Sequence, residues 1–400
     1  MSVPVESSTQ NSDTMNISHI DTDDPWSVTE KDLRKEIRSL REAGESAAVA
    51  TVMAVEGSAY RRPGAKMLIS ADQRNYGAVT AGCLEDMVLD IGHDVIETNE
   101  PRIEVFDLME NNNEVWGLGL GCNGIIELFV EPLDASWDYP LATVADNDPV
   151  TVLTVIDSEG SLPRGSRTVI TDNAQRNVKT RRKIPSALIE SVDDKIASVH
   201  STNQTYVAQL DETRVLIDGL IPTDDLLIFG GQRDITPVTQ LANQVGFRTH
   251  VHSGRGAIDE SSIPIADSVT TGHPTEIATH VNTDETTYVI VMSHNLLDDK
   301  LAVETLLRET EVPHIGIMGP NERFEELRES LMKDGLQLTA ADLDRISAPV
   351  GLDLGGGEPV EIALSIVSEA LAVSNDRTGG QLCEQAGYIH SRIGQKGNSE

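Results

Sequence analysis

Residues 117–124 read GLGLGCNG and set Cys122 among four glycines. Glycine tolerates positive φ and lets a ligand approach the backbone closely. Gly119 and Gly121 therefore either hold the thiol against a ligand or fold it into a tight turn as a small inert residue. A second thiol, Cys83, stands in TAGCLED, where a strand is expected to hand over to a helix. The free N–H groups of a helix start favour a thiolate or a bound anion. Glu85 and Asp86 oppose an anion at that place, and burial as a small hydrophobe is the ordinary fate of a free cysteine. Two thiols in turns of one small domain suit a soft metal or a sulfur-bearing ligand.

Cations and glycines mark further candidates. GSAYRRPGAK puts Arg61, Arg62 and Lys66 beside two glycines, and arginine forks match phosphate or carboxylate oxygens. IFGGQRDI (228–235) stands where the phosphate loop of a dinucleotide fold belongs, after a strand and before a helix. Gly230 and Gly231 are followed by Gln232, so the G-x-G-x-x-G spacing is absent. The next strand ends His252-Ser253-Gly254-Arg255 without the acidic residue that holds a ribose. Arg233 and Arg255 could still grip a phosphate. MSHNLLDD offers His294 and Asp298 at the carboxyl end of a strand, and GLDLGGGEP (351–359) runs into a helix start. Capping and turn formation are the alternative for both.

The elements that must carry these residues are legible as patterns. Ser27 and Glu30 suggest a capping box for a helix with Leu33, Ile37 and Leu40 on one face and Gly44 at its end. AAVATVMAV (47–55), KMLIS (66–70), NYGAVTAG (75–82), RIEVFDL (102–108) and IIELFVEPL (125–133) read as strands around a helix at 84–97. VTVLTVID (150–157), RTVIT and TYVAQL (205–210) read as hairpin strands. The stretch 170–186 carries a basic cluster, Lys179, Arg181, Arg182 and Lys183, read as a solvated loop. From DLLIFGG (225–231) onward strands and helices alternate, as in a doubly wound parallel sheet. We expect a disordered segment over 1–25, an α+β domain over 26–220, a Rossmann-like domain over 221–375 and a flexible tail over 376–400.

Composition excludes several functions. There are 65 acidic residues against 31 basic ones, a net charge of −34. A dispersed acidic surface repels nucleic acid and anionic membranes and points to life in high salt, where self-repulsion is screened. No apolar run approaches the ~20 residues of a membrane span. The N-terminus lacks the basic and apolar regions of a secretory signal. Three cysteines, Cys83, Cys122 and Cys383, make no disulfide framework, and no spacing suggests zinc. A reducing, cytoplasmic setting follows as the expectation.

Taken in order, GSAYRRPGAKML, AGCLED, GLGLGCNG, LIFGGQRD, YVIVMSHNLLDD, HIGIMGPNERF and PVGLDLGGGEPVEIALSIVSEAL resemble the XdhC/CoxI family, maturation factors of molybdenum hydroxylases of the xanthine dehydrogenase and carbon monoxide dehydrogenase type. The resemblance spans most of residues 30–375. It implies an α/β chain with a family-specific N-terminal domain and a Rossmann-like C-terminal domain. It also implies transient binding of molybdenum cofactor (molybdopterin) during sulfuration and handover to an apo molybdenum hydroxylase, with a sulfur donor such as a cysteine desulfurase. A homodimer is compatible with it. On this reading Cys122 and Cys83 face the metal end of the cofactor, and Arg61, Arg62 and the loop with Gly230, Gly231 and Arg233 face its polar end. GGQRD replaces a glycine-histidine pattern of the family, Ser253 stands where an aspartate is common, and Asn123 interrupts a cysteine–glycine–glycine run. The competing functions are an NAD(P)-dependent oxidoreductase, which the loop and Ser253 disfavour, and a thiol redox or metal-binding protein.

Overall fold

The computed structural model describes residues 24–57, 59–108, 124–160, 162–171, 174–176, 184–200, 202–254 and 263–384. Helix α1 (Glu30–Ala43) is capped by Thr29, whose hydroxyl accepts from Asp32 N while the Asp32 carboxylate accepts from Thr29 N. The box expected at Ser27 and Glu30 does not form. Ser27 closes a short 3-10 turn onto Asp24, and Glu30 is drawn to Arg34 and Asn203 instead. Gly44 ends the helix in the left-handed region.

Five strands follow around one helix: β1 (Ala47–Gly57), β2 (Lys66–Ser70), β3 (Asn75–Tyr76), α2 (Glu85–Thr98), β4 (Arg102–Asp107) and β5 (Gly124–Pro132). They form an antiparallel sheet in the order β3-β2-β1-β5-β4. Alternation along β1 sets its two faces. Ala47 and Val49 pack with Leu33, Ile37 and Leu40 of α1, and Ala48, Ala50 and Val52 pack with Val88 and Val95 of α2. The strand expected over 75–82 stops after two residues. Gly77 has φ +78°, and a Cβ there would lie 2.7 Å from Lys66 O, so the chain turns away at that point.

After α3 (Asp138–Ala145) come β6 (Val150–Ser158), β7 (Arg167–Thr171), β8 (Ala174–Arg176), α4 (Ser186–Glu190), α5 (Asp193–His200), β9 (Thr205–Leu210) and β10 (Thr213–Leu220). These strands form a second antiparallel sheet, β8-β7-β6-β10-β9. Met53 and Phe129 of the first sheet meet Ile156 and Leu216 of the second. Buried Arg167 ties them further: it pairs with Glu131, donates to Ser136 Oγ at 2.7 Å and lies over the Trp137 ring.

The third sheet is parallel. It comprises β11 (Asp225–Phe229), α6 (Ile235–Gln244), β12 (Arg248–Ser253), β13 (Ser268–Thr271), β14 (Thr287–Val291), α7 (Leu296–Glu309), β15 (His314–Ile317), α8 (Asn321–Lys333), α9 (Ala340–Asp344), β16 (Ile346–Ser347) and α10 (Pro359–Ser374). The order β13-β12-β11-β14-β15-β16 is that of a Rossmann fold, with α6 and α10 on one face and α7 and α8 on the other. The whole is thus an α/β chain in which an α+β portion precedes a doubly wound sheet.

Contacts from the first portion reach the starts of the parallel strands. Lys31 Nζ donates to Phe247 O (2.9 Å), Arg34 to Ile221 O (2.6 Å) and Arg248 to Asn147 Oδ1 (2.9 Å). These contacts fall on the edge opposite the carboxyl ends, where α/β sheets take ligands.

Candidate functional site

Loop 57–66 is bent back onto the second sheet. Gly64 N donates to Val52 O at 2.8 Å, and Ala65 N to Arg62 O at 3.0 Å. Gly64 has φ +97°, and a Cβ there would come within 2.5 Å of Thr205 Oγ1, so the turn needs glycine. The three cations of the loop separate. Lys66 is buried, its Nζ 2.8 Å from Asp218 Oδ2 and 3.0 Å from Gly64 O. It serves the fold and is not offered to a ligand. Arg61 and Arg62 are exposed, and Arg61 makes no ion pair among the described residues. Arg61, Glu30, Leu33 and Lys66 line a cavity of about 40 Å³, room for water but for no larger group. Burial alone would raise the Glu30 carboxyl, but Arg34, Lys66 and the Asn203 amide outweigh it and hold it at about 2.

Cys83 is half-buried at the start of α2, against the apolar cluster beneath that helix. The amides it was expected to share with an anion are taken. Thr80 Oγ1 accepts from Cys83 N and Leu84 N, each at 3.2 Å. The Glu85 carboxylate accepts from Thr80 N (2.8 Å), Thr80 Oγ1 (2.5 Å) and Leu84 N (3.1 Å). The protein supplies its own anion, and the sequence reading of Glu85 as a mere competitor understated it. Cys122, Gly119 and Gly121 lie outside the described residues. Gly124, the next described residue, pairs with Gly57 and accepts from Leu108 N at 3.0 Å.

The other candidates gather at the switch point between β11 and β14, where the strand order reverses. Gly230 leaves β11 under close approach: a Cβ there would lie 2.9 Å from Ile235 Cγ2 and 3.0 Å from Met292 O. Gly231 and Arg233 follow, and Arg233 is exposed with no ion pair among the described residues. Across the crevice His294 sits at φ +59°, half exposed, its Nε2 2.6 Å from Asp234 Oδ2. Asp234 Oδ1 is buried without a hydrogen-bond partner. Ser293 donates its N–H and hydroxyl to Asp299, whose carboxylate is 2.5 Å from Arg323 Nη2 and only 1% exposed. Asp234 and Asp299 escaped the sequence reading, which singled out Asp298. The acidic pair in LLDD was the available signal, but only the fold shows which member faces Ser293.

Two sequence candidates are closed. The N–H groups of Gly357 and Glu358 at the start of α10 donate to Glu361, at 2.9 and 3.0 Å, and Gly351 N donates to Glu369. At the end of β12, buried His252 bonds Thr270 Oγ1 (3.0 Å) and lies 4.5 Å from the His280 ring. Burial holds both imidazoles below their usual range, and for His280 the neighbouring His252 adds to it. Arg255 lies outside the described residues. Among the described residues no group of three His, Cys, Asp or Glu is placed to hold a metal, and no helix is long and apolar enough to cross a membrane.

Comparison with known proteins gives this geometry a family. The model described as "XdhC and CoxI family" matches residues 40–107, and that described as "XdhC Rossmann domain" matches residues 226–370. The chain belongs to the XdhC and CoxI family. Its XdhC Rossmann domain match contains the whole switch point, and the first match contains loop 57–66 and Cys83. A Bacillus subtilis (strain 168) protein named as a probable xanthine dehydrogenase subunit is 27% identical over 341 residues, 83% of this chain and 94% of that one. The Escherichia coli (strain K12) uncharacterized protein YqeB is 28% identical over 93 residues, 23% of this chain and 16% of that one. The crystal structure of a xanthine dehydrogenase from Bacillus halodurans superposes with TM-score 0.69 at 25% identity, over 89% of this XdhC-type chain and 99% of that one.

Proposed function

We propose that this XdhC/CoxI-type chain is a maturation factor: it holds molybdenum cofactor transiently for sulfuration and delivers it to an apo molybdenum hydroxylase of the xanthine dehydrogenase or CO dehydrogenase type. A sulfur donor such as a cysteine desulfurase would complete the partnership, in the cytoplasm. The carrying observation is the likeness, over more than four-fifths of the chain, to proteins bearing the xanthine dehydrogenase name. The switch-point loop meanwhile lacks the glycine spacing of a dinucleotide site.

The residues fit such a cofactor in kind. Arg61 is an exposed cation with no ion pair among the described residues, and Cys83 is a half-buried thiol in the same portion of the fold. Arg61 and Arg62 would take the phosphate. Cys83, with Cys122 and its flanking Gly119 and Gly121, would face the metal end. Gly230, Gly231, Arg233 and His294 give a second polar surface. When bound, the cofactor supplies the molybdenum centre and its dithiolene; the chain supplies charge, thiols and shelter.

The test is anaerobic capture of molybdenum cofactor in molar salt, with bound pterin quantified after desalting and oxidation. Stoichiometric pterin on the parent chain, lost in Cys122→Ala or Cys83→Ala, supports the proposal. No pterin on the parent removes it. The Rossmann strand order favours one second reading, a nucleotide at the switch point, and titration with NAD(P) checks it: submillimolar binding revives an oxidoreductase.

A further inference from the structure

Two aromatic side chains stand exposed where the site needs none for packing. Trp26 is 47% exposed and Tyr60 is 63% exposed. Their ring centroids are 6.3 Å apart and their planes meet at 68°. They come from segments distant in sequence, the 3-10 turn before α1 and loop 57–66, and each is held by its own backbone. Trp26 N donates to Asp24, which caps the turn, while Gly64 anchors the loop. The indole lies against the turn that carries Cys83, since a Cβ on Gly82 would be 3.7 Å from Trp26 Cζ2. The next residue after Tyr60 is the exposed Arg61. The residues that follow the turn, Val28, Thr29 and Glu30, line the small cavity together with Arg61.

The arrangement is an open corner of one aromatic face and one aromatic wall, with exposed Arg61 next in sequence to Tyr60 and Cys83 next in sequence to the Gly82 that lies under the indole. Rings that meet at 68° cannot sandwich a third ring, but a planar group laid on one presents its edge to the other. The cavity behind is too small for a ring, so the ring would sit on the exposed faces. In a chain of net charge −34, an arginine without an ion pair among the described residues sets the sign of the ligand as anionic.

We propose that Trp26, Tyr60 and Arg61 form a platform for the planar heteroaromatic ring of an anionic ligand, and that this ring is a pterin. The assignment to a pterin rests on the proposed function above; a nucleotide shares the same chemistry and is the source to be distinguished. Stacking on such side chains is lost on truncation by about tenfold or more in affinity.

The experiment uses the full chain in molar KCl and measures binding of pterin-6-carboxylate by equilibrium dialysis, with GMP and inorganic phosphate as parallel probes. Trp26→Leu and Tyr60→Leu should each weaken the pterin by about tenfold or more, while Trp26→Phe and Tyr60→Phe bind as the parent does. Arg61→Gln should remove the preference for pterin-6-carboxylate over uncharged pterin. Thermal melting of each variant excludes unfolding. If GMP binds more tightly than the pterin, the pterin assignment is overturned. If the leucine variants bind pterin like the parent, the platform is overturned while cofactor capture by the parent still stands. If the parent captures no cofactor at all, the maturation reading falls and takes the pterin assignment with it.

Discussion

Lys66 and Asp218 are 6% and 8% exposed at the side chain, and they join the first two sheets behind the arginine loop. Removing one partner of a buried pair leaves the other charge without compensation. Lys66→Met should therefore cost about 3–5 kcal/mol in urea unfolding, and adding Asp218→Asn should return part of it. Unchanged stability in the single variant would show that water already reaches the pair. Asp224 behaves differently. Burial, and then the neighbouring Asp225 charge, push its carboxyl up to about 6 from the ordinary 3.8. Between those values the folded chain binds the proton that the unfolded chain has released, so this group's contribution to stability falls as pH rises from about 4 to 6. Asp224→Asn should remove that slope and leave the chain about 1–3 kcal/mol more stable at pH 7. The check is the difference in unfolding free energy between variant and parent across about pH 4 to 8. A difference that does not grow with pH would contradict the assignment.

At the scale of elements, the start of α2 is the most consequential join. Thr80 accepts from both Cys83 N and Leu84 N. Thr80→Val removes that acceptor, should cost about 1 kcal/mol as other helix-start losses do, and should speed the reaction of Cys83 with a disulfide reagent in a Cys122→Ala/Cys383→Ala background. An unchanged rate would mean that the apolar packing of Cys83, and not the hydroxyl, sets its access. What the sequence disclosed and what it withheld divides along the same line. Helix α1 carries its own periodicity, so its apolar face was legible, and β1 and β11 are continuous apolar runs that read as buried strands. β3 was read too long because the close approach of Lys66 O at Gly77 is a tertiary fact. The capping box shifted from Ser27 to Thr29 because Glu30 answers to Arg34 and to Asn203, the latter far along the chain. Lys66 looked like a third ligand cation beside Arg61 and Arg62, since nothing local announces Asp218. The glycines at 230–231 fall between a strand and a helix, β11 and α6, as their pattern suggested, yet the Asp234–His294 contact exists only once two loops meet at one end of the sheet.

Over the whole molecule, charge dominates. A net charge of −34 repels itself, and the repulsion is felt across about 10 Å at 0.1 M salt but only about 3 Å at 1 M. Helix α8 shows the problem locally: Glu322, Glu326 and Glu329 are all exposed and fall one turn apart on one side of the helix. Like charges at that spacing are destabilising. Meanwhile Lys31, Arg34 and Arg248, cations at the junction with the parallel sheet, are committed to Asp267, Glu30 and Asp225, and so are not free to offset the surface acid. The thermal midpoint should therefore rise by several degrees between about 0.1 and 2 M KCl, the equivalent of about 1–3 kcal/mol, with most of the rise below about 1 M as the Debye length shrinks. Glu322→Gln/Glu326→Gln/Glu329→Gln should raise the midpoint at low salt and flatten its dependence on salt, while leaving the high-salt value nearly as it was. A triple variant whose salt slope matches the parent would mean that the stabilisation comes from salt exclusion at the surface and not from relief of acidic repulsion.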